Sequence, residues 1–107
     1  MNEALNEIRR LLDEARTLMT QKGLPEEERA VLEQSLAGLH SAERALLLLD
    51  QPQAGEEFAK TVAYLKQLSK QMRELSKVFN RQAKALEQSK KLIQAAAALL
   101  QGIAVWR

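Results

Sequence analysis

Lys70, Lys77, Lys84 and Lys91 stand one every seven residues, a spacing that places four ammonium groups on one face of a helix. Lys66, Arg73, Arg81 and Lys90 flank them. On a straight helix rising about 1.5 Å per residue, these cations form a basic ridge about 30 Å long. Such a ridge can track a phosphate backbone or meet an acidic protein surface. It can equally be the solvated outer face of a long helix. Proteins that hold single-stranded nucleic acid usually interleave stacking aromatics with their cations. Here only Phe79 lies among the lysines, on the apolar side, and no helix-turn-helix spacing with a polar recognition face is present. Nucleic-acid binding through Lys70, Arg73, Lys77, Arg81, Lys84 and Lys91 is therefore the alternative reading, behind a solvated face or an acidic protein partner.

Other chemistry is sparse. The lone histidine, His40, is followed by Glu43 three residues on, and Asp13 and Asp50 are the only aspartates. No nucleophile-base constellation accompanies them, so His40 reads as a residue of the helix surface or boundary. Glu3 and Glu7 share a helix face, yet no Glu-x-x-His motif joins them into a metal site. There is no cysteine, which excludes thiolate metal sites, thiol nucleophiles and disulfides together. Gly23, Gly38, Gly55 and Gly102 are isolated, so no phosphate-cradling loop forms. The expectation is a non-enzyme with no cofactor, no metal and no evident small-molecule substrate.

The elements that position these residues are helical. The 107 residues include only four aromatics and two prolines, so the core is aliphatic and suits helices better than sheets. Leu5, Ile8, Leu12, Ala15 and Met19 recur every three or four residues and predict a helix over 3–21, closed by Gly23. Pro25 at the first helical position, with Glu26, Glu27 and Glu28 at the positive end of the helix dipole, opens a second helix over 25–49. The stretch "DQPQAG", residues 50–55, is the one loop carrying both proline and glycine.

From Phe58 the register continues as Leu65, Leu68, Met72, Leu75, Phe79, Gln82, Leu86, Ser89, Ile93, Ala96, Leu100 and Ile103. Unbroken three-four spacing predicts one long helix over 56–105, and so an all-α, single-domain three-helix bundle. A break near 76–82, at Asn80 and Gln82, is the alternative and gives four helices. Charge divides the chain in the same place. Residues 1–57 hold six Lys/Arg against twelve Asp/Glu, and residues 58–107 hold ten against two.

Length arithmetic then raises the question of cover. At about 1.5 Å per residue the first two helices span roughly 28 and 37 Å, the third roughly 75 Å. A hairpin covers half of so long a helix. The apolar end "KKLIQAAAALLQGIAVWR" is too short, and too interrupted by Gln94 and Gln101, to cross a bilayer. Leu86, Leu92, Ile93, Ala96, Leu99, Leu100, Ile103 and Trp106 are accordingly expected to pack against a second copy or a partner protein.

The segment "FNRQAKALEQSKKLIQAAAALLQG", residues 79–102, resembles the C-terminal helix of flagellar and type III export chaperones, through Asn80, Leu86, Ser89, Leu100 and Gly102. Residues 1–49 do not show that family's pattern. The resemblance implies a non-enzymatic helper that holds an amphipathic partner helix. The expectation is thus a cytoplasmic, bacterial helical module, an adaptor, chaperone or inhibitor, that assembles as a homodimer or hetero-complex. The acidic, amphipathic N-terminus carries no signal-peptide core.

Overall fold

The computed structural model describes residues 2–49, 51, 52, 54–78 and 84–106, with the backbone alone at Asn2, Leu75, Ser76, Val78 and 104–106. Among them the chain is helical: α1 (Asn2–Met19), α2 (Glu26–Leu47), α3 (Ala54–Val78) and α4 (Lys84–Trp106).

Local chemistry shapes α1, ends it and opens α2. On α1 the stripe Ile8, Leu11, Leu12, Ala15 and Leu18 is buried. The opposite side is tied by Arg10, which bridges Glu7 and Glu14, and by Arg16 to Asp13 at 3.2 Å. The hydrogen bond from Arg10 holds the Glu7 carboxyl below its ordinary pKa. The last turn tightens, with Thr20 N–H donating to the Thr17 carbonyl at 3.1 Å and Gln21 N–H to Leu18 at 3.3 Å. Gly23 then takes a positive φ of 78°, a conformation that costs a residue with a Cβ much more. Pro25 sits one position earlier than expected: its ψ of 148° is extended, so it caps α2 instead of opening it. Its carbonyl still accepts from Arg29 N–H at 3.0 Å.

The long C-terminal helix expected from the register is two helices. Residues 79–83, which overlap the 76–82 stretch given as the alternative break, lie outside the described residues, and α3 and α4 flank them. Two physical reasons favour the division. Ser76, Val78, Phe79 and Asn80 are all middling helix formers. And a rod of roughly 75 Å would leave half its apolar stripe in water, whereas two helices of about 37 and 35 Å can each lie along α2. A heptad register survives such a fold-back because each half keeps its own stripe. Among the described residues the fold therefore has four helices, and not the three expected from an unbroken register.

α1 and α2 pack side by side across the short stretch 20–25 and so run antiparallel, as do α2 and α3, where Ser35 meets Met72 and Gly38 faces Leu65 and Leu68. α2 and α4 each touch all three other helices, while α1 and α3 do not touch one another among the described residues. The bundle is thus squeezed along its α2–α4 diagonal and measures 44 × 23 × 17 Å. Small residues permit that approach. Ser35, Gly38 and Ala42 on α2, and Ala85, Ser89 and Ala96 on α4, are all buried. A Cβ added at Gly38 would lie 2.7 Å from Leu68 Cδ1 and 3.3 Å from Leu65 Cδ2. At the crossing Ser89 Oγ donates to Ser35 Oγ at 2.7 Å, and Ser35 donates to the Val31 carbonyl at 3.0 Å. All four helices contribute to one apolar cluster.

Candidate protein-docking site

The residues expected to meet a partner are largely covered by this chain. Leu86, Ile93, Ala96 and Leu100 are fully buried, and Leu92 is nearly so. The premise that one chain cannot cover the C-terminal segment fails, because the fold-back brings α4 against α1, α2 and α3 together. Of that set only Leu99 and Ile103 keep partial exposure. The Trp106 side chain lies outside the described residues.

Part of the apolar surface that remains lies at one end, while Tyr64, Met19, Leu24, Leu36 and Val62 are incompletely covered elsewhere. The ion pair Arg9–Glu43, at 3.0 Å, marks the register of α1 against α2. One turn further along each antiparallel helix stand Leu5 and Leu47, so they share a level. Leu47 is 55% exposed, the largest exposure of any bulky hydrophobic among the described residues. Leu48 and Leu5 are half-buried beside it in the sequence pattern, and the C-terminal turns of α4, with Leu99 and Ile103, finish at the same end. Sequence reasoning did not single out Leu47: the helical stripe Leu32, Leu36, Leu39, Ala42, Leu46 and Leu49 leaves it outside, and nothing in the pattern marks an off-stripe leucine as a docking residue.

The basic ridge is also rearranged. Lys70, Arg73, Lys77, Lys84 and Lys91 are exposed as expected, but the fold-back divides them between two helices, and Arg81 lies outside the described residues. Lys91 faces α1, lining a groove with Arg10, Asp13, Glu14 and Thr17. Lys70 and Arg73 line a different groove, between α3 and α4, of about 430 Å³. Among the described residues the lysines do not form one continuous 30 Å ridge.

The α3–α4 groove has two banks and a floor. On one bank stand Lys66, Lys70, Arg73 and Glu74, and on the other Gln94 and Gln101, over Ser69, Ala97 and Ala98. Glu74 is within 3.9 Å of Lys77, whereas Lys66, Lys70 and Arg73 form no ion pair among the described residues. The cations of α1 contrast with them: Arg9, Arg10 and Arg16 all meet carboxylates.

His40 lies on the surface of α2 with Nδ1 3.8 Å from Glu43 Oε1; that carboxyl also accepts from Arg9. No three His, Cys, Asp or Glu side chains converge among the described residues, and no described helix is long and apolar enough to cross a membrane. Set against protein-family models, curated proteins and solved structures, the chain matches none.

Proposed function

We propose that this chain is a non-catalytic protein-interaction module, a small helical adaptor, chaperone or inhibitor, that self-associates through the apolar end of its bundle. The observation that carries the reading is Leu47, more than half exposed at the end where Leu5, Leu48, Leu99 and Ile103 are also incompletely covered. Scattered exposed leucines are ordinary, whereas a cluster at one end offers area that a second copy can remove from water. The surface is narrower than the sequence suggests, since most of the α4 stripe is committed to the chain's own core. Nucleic-acid binding has less support, because the divided lysines no longer form a line of phosphate spacing.

Sedimentation velocity tests it. The wild-type protein is expected to sediment above monomer mass, and Leu47→Asp to sediment as a monomer with unchanged helicity. A wild type that stays monomeric at about 100 μM, where associations of useful strength are populated, overturns the reading.

A further inference from the structure

We propose that the groove between α3 and α4 docks an acidic amphipathic helix of a partner protein. This rests on the protein-binding reading but not on self-association, which uses the opposite attribute at a different surface.

Three features of the groove favour that occupant. Lys66, Lys70 and Arg73 are spaced by four and three residues on one helix, so their charges recur every turn over about 10 Å. A helix lying alongside, with carboxylates at i, i+4 and i+7, repeats that rise and meets each cation in turn. The cations have no ion pair among the described residues, so a partner's carboxylates displace no internal partner. The floor admits a close approach, since Ala97 and Ala98 are small. On that floor Ser69 is only 8% exposed and makes no side-chain hydrogen bond among the described residues. No enclosed side-chain nitrogen or oxygen lacks a partner among the described residues, so the Ser69 hydroxyl reaches the solvent of the groove, where it can donate to a docked carboxylate or carbonyl. Gln94 and Gln101, seven residues apart on the far bank, offer amides at the two ends of the same stretch.

A nucleic acid is disfavoured here because no aromatic lines the groove for base stacking. A free inorganic anion is disfavoured because three cations spread over two helical turns cannot converge on one small ion.

Fluorescence anisotropy with a defined probe tests the assignment. The probe is a fluorescein-labelled Ala/Leu helix of about 18 residues, long enough to be helical in part, bearing glutamates at i, i+4 and i+7. The control carries glutamine at those positions. The glutamate peptide is expected to bind, and to weaken as salt is raised. The pair Lys70→Glu/Arg73→Glu, both at exposed positions, is expected to lower its affinity about tenfold or more by placing like charges together. Ala98→Glu, also exposed, is expected to act in the same direction without removing a cation. Leu47→Asp is expected to leave peptide binding unchanged, which separates this groove from the self-association surface.

Equal binding of the glutamine peptide, or wild-type affinity in both charge variants, overturns the proposal. So does tighter binding of an oligo-dT strand of about 20 nucleotides, which assigns the cations to phosphates. Loss of self-association in Lys70→Glu/Arg73→Glu gives the groove to a second copy and overturns the partner helix as occupant.

Discussion

Among the described residues Ser35 and Ser89 are the two polar residues with no exposure, and they meet each other at the crossing of α2 and α4. A buried hydroxyl without a partner is costly, but here the chain of donation from Ser89 to Ser35 to the Val31 carbonyl leaves neither empty. Met72 Sδ, 3.8 Å from Ser35 Oγ, closes the site from α3. The cost of mutation should therefore depend on whether one hydroxyl is removed or both. Ser35→Ala strips Ser89 of its acceptor and is expected to cost about 1–2 kcal/mol in urea unfolding. The double variant Ser35→Ala/Ser89→Ala is expected to cost less than the sum of the singles, because no hydroxyl is left behind. Additive costs would mean that the two groups do not act as a pair. In the sequence Ser89 occupies an inward register position and was legible as part of the seam. Ser35 was not, because it stands one turn from both Leu32 and Leu39 and its residue type argues for the surface.

At the scale of the helix, what the sequence conveys is the stripe, and what it withholds is the neighbour. The apolar positions of α1 and α2 could be read directly, since Ile8, Leu12, Leu32 and Leu39 recur at helical spacing and are all buried. The division between α3 and α4 could not, because the spacing runs through 79–83 without a phase change and no proline or glycine marks the turn. Which helix lies over which depended on Gly38, a residue that carries no pattern of its own. Its missing side chain lets Leu65 and Leu68 of α3 reach the backbone of α2, with Ile93 Cδ1 of α4 3.6 Å from where a Cβ would stand. Gly38→Val is expected to destabilise the bundle by about 2 kcal/mol or more, because the core must shift to admit it. The gain of roughly 0.5 kcal/mol or less in helix propensity over glycine does not offset that. The measurement is the urea midpoint at constant m-value, which reports stability without a change in exposed surface. A Gly38→Val protein as stable as wild type would show that α2 and α3 are not in close contact at this level.

For the molecule as a whole, the decisive difference between a rod and a folded-back bundle is what the C-terminal segment does. On a rod, residues 92–107 project beyond the hairpin, and their removal leaves a folded protein that has lost only a docking surface. In the bundle, Leu92, Ile93, Ala96, Ala97 and Leu100 are all part of the shared core. Burying Leu92, Ile93 and Leu100 contributes roughly 1.5–3 kcal/mol each, or about 5–9 kcal/mol together. That is comparable to the whole stability of an ordinary domain, about 5–15 kcal/mol. A chain ending at Lys91 is therefore expected to lose its cooperative thermal transition at 222 nm and to bind a dye that reports loosely packed apolar surface. Leu47→Asp, which alters the surface and spares the core, is expected to keep the transition. A truncated chain that melts cooperatively near the full-length midpoint would return α4 to the role of a free interface.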